Sequence, residues 1–179
     1  MTEACEVRTS GESITDSSRW YALHTMSNCE AKVAEYLRAF QVETFLPDYA
    51  AKRQWNDRVK TIRFPLFPGY LFSRFGKKLP VEALGAPGLA HVVGFAGAPA
   101  PIPEDEIECV RRMVSSGLSL SGGSILRVGK RVRMRSGPLK GLEGRLEQLN
   151  GKNRLVISVE LLCRSIAAEV DPDAIEVLS

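Results

Sequence analysis

The alternation of apolar and polar residues in the first part of the chain predicts a strand followed by a helix. The segment of residues 20–25 is short and rich in aromatic side chains, which is typical of a buried strand. The apolar residues that follow recur at helical spacing: Val33, Tyr36, Leu37 and Phe40. We expect these four to form the core stripe of a helix that is capped by Ser27 or Asn28.

More strands than helices are predicted between this helix and residue 116. We expect a strand to begin at residues 45–47 and further strands at 59–64, 69–75 and 91–95. Residues 55–58 are expected to form a hairpin turn. Residues 81–84 form a short helix, and Pro103 begins a longer one that runs to about Ser115. Because hairpins dominate and the elements alternate irregularly, the pattern predicts an antiparallel α+β sandwich.

The last part of the chain has the pattern of strands alone. The expected strands are residues 130–135, 143–149, 155–162, 165–170 and 175–178, with a hairpin signal at Asn150-Gly151. Five short strands in such a segment predict a small all-β barrel.

The composition of the segments between these patterns suggests domain boundaries. Residues 117–125 are rich in glycine and serine, which is typical of a flexible linker. Residues 1–18 are polar and have little to bury, so we expect a disordered tail. The predicted organisation is therefore a tail (1–18), an α+β domain (19–116), a linker (117–125) and a β-barrel domain (126–179).

Composition favours a protein of the cytoplasm that works without a cofactor. Of its 179 residues, 44% are hydrophobic and 25% are charged, and no apolar run is long enough to cross a bilayer. The polar start of the chain has no apolar segment typical of a signal peptide. The four cysteines are far apart, and His24 and His91 are the only histidines, so we expect free thiols and no metal site. No catalytic constellation is visible, and we expect no enzyme activity.

Basic residues are concentrated in two stretches. Residues 52–78 contain eight lysines and arginines against Asp57 alone, and residues 127–145 contain seven against Glu143 alone. Such stretches suit nucleic acid or another polyanion. They equally suit a solvated strand face, where lysine and arginine protect an exposed edge.

Several motifs, in their order along the chain, carry a family resemblance. Residues 20–25 read Trp-Tyr-Ala-Leu-His-Thr, and residues 65–72 read Pro-Leu-Phe-Pro-Gly-Tyr-Leu-Phe. Residues 128–133 read Val-Gly-Lys-Arg-Val-Arg, and residues 136–139 read Ser-Gly-Pro-Leu. Together they resemble the NusG family of transcription elongation factors over residues 19–179. The resemblance implies a NusG N-terminal domain followed by a KOW domain, which is an SH3-like barrel.

The subtype that the chain resembles is a specialised paralogue. Residues 41–47 and 53–58 are similar to the UpxY and RfaH type, which are antiterminators of long polysaccharide operons. This resemblance implies a monomeric, operon-specific antiterminator. The alternatives are a housekeeping NusG-type factor and a ribosome-associated KOW protein that binds RNA.

The resemblance also implies an interface with the clamp helices of bacterial RNA polymerase. The matching residues are His24, Phe67, Tyr70 and Phe72, with Phe95 as a neighbour. Period-two alternation places Tyr70 and Phe72 on one strand face, as expected for a hollow that anchors a partner helix. The alternative interpretation is that these aromatic side chains only fill the core.

Two further contacts are implied or suggested. Members of the specialised type touch the non-template DNA strand with the first helix, where Lys32, Tyr36 and Arg38 are the candidates. The candidate nucleic-acid residues in the basic stretch are Arg53, Arg58, Lys60 and Arg63.

The barrel of the general factor binds a small-subunit ribosomal protein or Rho through a phenylalanine before a glycine. Leu162-Cys163 stands there in this chain. A leucine can fill a pocket but lacks the area of the aromatic ring, which argues against Rho binding.

Overall fold

A computed structural model describes residues 18–55, 58–76, 79–124, 129–149 and 152–178. We call residues 18–116 the N-terminal region and residues 117–178 the C-terminal region. The elements of the N-terminal region are β1 (Arg19–Thr25), α1 (Glu30–Ala39), β2 (Glu43–Phe45), β3 (Asp48–Trp55), β4 (Arg58–Pro65), β5 (Tyr70–Phe75), α2 (Val81–Leu84), β6 (Leu89–Val92), β7 (Gly94–Phe95), β8 (Ala98–Pro99), β9 (Pro101–Ile102) and α3 (Glu104–Ser115).

A five-stranded antiparallel sheet organises the N-terminal region. Its order is β2-β5-β1-β6, and β9 also pairs with β1. Strands β3 and β4 form a separate hairpin, and β7 and β8 form a second one. The central strand β1 therefore has β5 on one side and both β6 and β9 on the other.

Helices cover both faces of this sheet. On one face, Leu23 and Leu71 pack with Val33 and Leu37 of α1 in a buried cluster. The residues of β1 that alternate with Leu23 point to the opposite face, where Ala22 belongs to a second cluster with residues of α3. This second face carries the residues of interest for function.

The C-terminal region contains a six-stranded antiparallel sheet. Its strands are β10 (Leu120–Ser124), β11 (Lys130–Met134), β12 (Glu143–Leu149), β13 (Lys152–Val159), β14 (Arg164–Glu169) and β15 (Ile175–Val177). Their order is β10-β14-β13-β12-β11-β15. The predicted fold class, an α+β N-terminal part followed by an all-β part, is confirmed.

The two regions share one hydrophobic core. Phe72 of β5 and Val110 of α3 belong to the same buried cluster as Val132, Leu155 and Ile166 of the C-terminal sheet. Burying apolar surface is the main favourable term in such a contact. The second face of the N-terminal sheet is thus covered by α3 and by the C-terminal region together.

The segment expected to be a linker is in part a strand. Leu120–Ser124 pairs with β14 as β10, including the register pair Gly122↔Ile166. The glycines allow close approach, because a Cβ built at Gly122 would lie 2.3 Å from the Leu66 carbonyl oxygen. The C-terminal sheet therefore has six described strands where the pattern predicted five.

Two details of the first helix differ from the prediction. The N-cap is Cys29, without a side-chain cap, and the predicted caps Ser27 and Asn28 lie before it, Asn28 with a left-handed backbone (φ 60°). Phe40 was predicted to lie in the core but is 43% exposed. The helix ends at Ala39, and the left-handed Gln41 (φ 58°) turns the chain there.

Two strand predictions also need correction. The expected strand at 91–95 is divided, because Val93 leaves the ladder and donates its N–H to the Ala22 carbonyl at 2.8 Å. The expected strand at 155–162 ends at Val159, and Glu160–Leu162 forms a 3₁₀ turn. Asn150-Gly151, the expected hairpin turn, lies outside the described residues.

Candidate functional site

Three aromatic rings form a row across neighbouring strands of the N-terminal sheet. His24 on β1 is the register partner of Tyr70 on β5 and of His91 on β6. The His24 ring centroid lies 5.0 Å from that of Tyr70 and 5.0 Å from that of His91. His91 is exposed, whereas His24 and Tyr70 are half-buried. We call Tyr70, His24 and His91 the ring row.

A tight turn holds the ring row in place. Gly69 has a left-handed backbone (φ 82°), which favours glycine, and its carbonyl accepts the Thr25 N–H at 2.8 Å. The buried carboxylate of Glu30 on α1 accepts the Gly69 N–H at 2.7 Å. These two bonds fix the start of β5 beside the end of β1, and so fix Tyr70 beside His24.

His24 contains a polar atom without a partner. Its Nδ1 is buried and makes no hydrogen bond. A buried N–H without an acceptor is costly, so of the two neutral tautomers the one with its proton on Nε2 is preferred to the one with its proton on Nδ1. His24 therefore keeps an N–H donor at Nε2.

Phe67 and Phe72 lie on the same side of the sheet but are covered. Both are buried, with their rings edge to face at a centroid distance of 5.4 Å. The Phe72 ring also stacks 6.1 Å from that of Phe45. Their cluster includes C-terminal core residues, so neither is available to a partner in this arrangement.

The structure brings four of the five predicted polymerase-binding residues to one face of the sheet, and the fifth, Phe95, lies on a separate hairpin. Phe95 lies on the two-residue strand β7 and is 72% exposed. His91 was missed, because its contact with His24 depends on a pairing between strands far apart in sequence. The available signal was that the only two histidines both fall in predicted strands of one domain.

A second cluster, which the sequence did not reveal, joins α3 to the sheet. Trp20 Nε1 donates to Glu104 Oε1 at 3.1 Å. The Arg111 guanidinium lies 5.0 Å from the Trp20 ring centroid and 5.3 Å from that of Phe45, and pairs with Glu43 at 3.1 Å. Such cation–π contacts add to the packing of α3 on the sheet.

Polar contacts also cross between the two regions. The Arg112 guanidinium donates to the Lys140 carbonyl. The carboxylate of Glu106 on α3 accepts the backbone N–H of Glu160. Burial raises the pKa of Glu106, and the nearby charges of Glu160 and Asp105 raise it further.

The predicted partner residues of the C-terminal sheet lie at this same junction. Leu162 is buried in the shared core. Cys163 is exposed and has a left-handed backbone (φ 49°). Leu162 is therefore covered in the same arrangement that covers Phe67 and Phe72.

The candidate nucleic-acid residues lie on two elements, the helix α1 and the β3–β4 hairpin. Lys32 and Arg38 are exposed on α1, and Tyr36 is half-buried with its ring 5.0 Å from that of Phe40. Arg63 makes a bidentate contact with Asp48, in which Nε donates to Oδ2 at 3.0 Å and Nη2 donates to Oδ1 at 2.8 Å. This carboxylate raises the pKa of Arg63 and already partners its charge.

The other three candidates are defined by their backbone alone. Arg53 on β3 pairs with Lys60 on β4, and Arg58 pairs with Trp55 at the end of the hairpin. Their side chains lie outside what the structure describes.

Neither a metal site nor a membrane-spanning helix is found among the described residues. That part of the chain contains no group of three or more His, Cys, Asp or Glu side chains that could hold a metal ion. Within the same residues, no helix has the length and apolar content needed to cross a membrane.

Comparison with known proteins identifies the family. The model of the family described as "Transcription termination factor nusG" matches residues 18–111. The "Transcription termination/antitermination protein NusG" of Staphylococcus aureus, in strains Mu50 and N315, is 29% identical over 181 aligned positions. The alignment covers 90% of this chain and 97% of each relative.

A solved structure supports the fold. It is described as "Domain interaction in Thermotoga maritima NusG" and has a TM-score of 0.56 at 20% identity. The match covers 90% of this chain and 98% of that chain. Fold and family model together define a NusG-like transcription termination/antitermination factor. The chain belongs to the NusG family.

Proposed function

We propose that this protein is a transcription elongation factor that binds the clamp helices of bacterial RNA polymerase. The observation that best supports this is the ring row beside Phe67 and Phe72 on one sheet face. Aromatic side chains grouped on one face are common anchors for partner helices. Membership of the NusG family supports the choice of partner, and a polymerase partner places the protein in the cytoplasm.

The expected effect on transcription follows from a shift in population. A paused polymerase requires its clamp to open, so a ligand that binds only the closed clamp disfavours pausing. The size of the effect is limited by the difference in affinity between the two clamp states.

The contact between the two regions covers part of the proposed polymerase interface, so binding requires the regions to separate. Because Phe67 and Phe72 are buried, they contact the clamp helices only after the C-terminal region moves away. The measured affinity is then the intrinsic affinity multiplied by the fraction of open molecules. The same movement exposes Leu162, so the proposed ribosomal contact of the C-terminal sheet also depends on it.

We favour an operon-specific antiterminator of polysaccharide-type clusters. Leu162-Cys163 replaces the aromatic–glycine pair of the general factor, which argues against Rho binding. A gene that leads such a cluster, with a second and more standard copy elsewhere in the genome, would support this. A single copy outside such a cluster would favour the housekeeping factor that couples polymerase to ribosome or Rho.

DNA contact is a second part of the proposal. Lys32 and Arg38 are exposed on α1, where they can reach phosphate groups of the non-template strand. Reversing the charges of Arg53, Arg58 and Lys60 should flatten the salt dependence of complex formation, because fewer counterions are released. Reversing Arg63 alone should change it less, since Asp48 already neutralises that side chain. If the salt dependence of complex formation is the same in this triple variant as in the wild type, the β3–β4 hairpin does not contact the DNA.

The decisive experiment is a binding assay with purified RNA polymerase. The full chain should bind the core enzyme and lose binding when the clamp helices are deleted or when isolated clamp helices compete. A pulldown that retains ribosomes and no polymerase would instead favour a ribosome-associated RNA-binding protein.

A further inference from the structure

The cover on the second face of the N-terminal sheet ends at the ring row. On that face, Ala22 and Phe72 are fully buried beneath α3 and the C-terminal region. One step further along the same strands, His24 and Tyr70 are half-buried, and His91 on the neighbouring strand is exposed. The ring row is thus accessible while the adjoining aromatic residues are not.

The ring row also has unused hydrogen-bonding capacity. No hydrogen bond or ion pair in the described part of the chain involves the side chain of His24 or His91. Glu30 reaches the turn beside His24, but its Oε1 accepts the Gly69 N–H at 2.7 Å. Two imidazoles and a phenol, whose neighbouring ring centroids lie 5.0 Å apart, therefore form a row of hydrogen-bond donors.

We propose that the ring row is the surface that first meets RNA polymerase, before the C-terminal region moves, and that it takes a carboxylate-bearing segment of the polymerase. This inference rests on the proposed function and deepens it. Carboxylate oxygens accept from imidazole N–H groups and from the Tyr70 hydroxyl.

A first contact of this kind acts mainly on the rate of association. Charges at the edge of an interface change the association rate constant, whereas buried anchors set the dissociation rate constant. Phe67 and Phe72 engage later and keep the complex together. His91 should therefore influence how fast the complex forms more than how long it lasts.

The test compares variants of the full chain binding to immobilised core RNA polymerase. His91 is exposed, so H91E and H91K leave the core intact, which thermal melting verifies. We expect H91E to slow association about 10-fold with less than about a 2-fold change in dissociation, and H91K to associate as fast as the wild type or faster. The matched control is Q148E on β12, which adds the same negative charge at an exposed position of the C-terminal sheet.

Each outcome decides the inference. Equal association rates for H91E and the wild type would show that the ring row is not the first contact. Equal slowing by H91E and H91K would show that the segment it meets is not acidic. Equal slowing by H91E and Q148E would assign the effect to net charge and also overturn the inference. A wild-type chain that fails to bind polymerase would overturn the proposed function itself, which separates the two failures.

Discussion

Glu106 of α3 and Glu160 of the C-terminal 3₁₀ turn face each other across the junction of the two regions. The Glu106 carboxylate accepts the Glu160 backbone N–H, while the negative charge of the Glu160 side chain opposes it. Glu106 Oε2 is buried without a hydrogen-bond partner. The junction thus contains one favourable hydrogen bond and one unfavourable charge on the same side chain.

This arrangement predicts a dependence of stability on pH. Burial, Glu160 and Asp105 raise the pKa of Glu106, so the folded state binds its proton more tightly than the unfolded chain does. The stabilising contribution is fully present below the unfolded pKa and is lost as the pH rises through the folded pKa. We expect E106Q to be more stable than the wild type at about pH 7, and the difference to vanish near pH 4.

The exposure of Glu106 limits the size of the stability gain expected for E106Q. Glu106 is only half-buried, so water screens the repulsion and we expect a gain of about 0.5 kcal/mol or less in free energy of unfolding. E108Q removes the same charge at an exposed position of the same helix. Thermal melts across this pH range should show a stability difference from the wild type that depends on pH for E106Q alone. The same pH-dependent difference in E108Q would contradict the assignment of the effect to Glu106.

A second prediction concerns the contact of Gly122 with Leu66. An added Cβ would meet the Leu66 carbonyl oxygen at 2.3 Å, and backbone cannot give way as a flexible side chain can. We expect G122A to push β10 away from the N-terminal region and to lower the free energy of unfolding by about 1–3 kcal/mol. It should also raise the affinity for polymerase, because it increases the fraction of open molecules.

The reactivity of the Cys109 thiol can measure how far the two regions separate. It is half-buried on α3, and burial raises its pKa, so it should react slowly with alkylating agents. Mass spectrometry should show faster alkylation of Cys109 in G122A, with the exposed Cys163 as internal reference. The control is G123A, where the nearest atom to an added Cβ is Ser165 Oγ at 3.9 Å. Equal Cys109 alkylation in both alanine variants would exclude the steric mechanism.

Local patterns were sufficient to predict the elements and one face of the site. Alternation on β5 placed Tyr70 and Phe72 on one face of the strand, because side-chain direction in a strand depends only on sequence parity, whereas His24 was grouped with them by the family resemblance. Alternation cannot show which strands pair. His91 reaches His24 only through the pairing of β6 with β1, and nothing in its neighbouring residues encodes that contact.

Tertiary packing overrode composition in the glycine-rich segment. Glycine and serine at 121–124 are typical of a linker, yet the segment pairs with β14 and approaches the Leu66 backbone. Small residues permit both a loop and a close backbone contact, so composition alone cannot separate them. The burial of Phe67, Phe72 and Leu162 likewise depends on how two regions meet, which no local pattern describes.

A third prediction uses fragments to locate the boundary between the regions. In β10, Leu120–Ser124 pairs along its full length with β14. A fragment of residues 118–179 retains this strand, whereas one of residues 125–179 leaves β14 without that neighbour. We expect the longer fragment to melt about 5 °C higher or more by circular dichroism. Equal melting temperatures would show that residues 120–124 contribute nothing to the C-terminal fold and would restore the linker interpretation.

The last prediction separates anchoring from core packing on a single strand. Tyr70 and Phe72 are two residues apart on β5, but Tyr70 is half-buried in the ring row, and Phe72 is fully buried in the shared core. We expect F72A to lose about 3–5 kcal/mol of free energy of unfolding, because it leaves a cavity. Y70A should melt nearly normally and lose about 2 kcal/mol or more of polymerase binding energy, together with pause suppression.

Both quantities have to be measured on each variant, because a destabilised protein also binds less. Y49A is the matched control, since Tyr49 is another half-buried tyrosine in a ring pair, 6.0 Å from Phe64 on the separate hairpin. If Tyr70 is an anchor, Y70A and Y49A should melt alike and differ in polymerase binding. If Y70A instead melts early while its folded fraction binds normally, Tyr70 is a core residue, and the polymerase interface must lie on another surface of the protein.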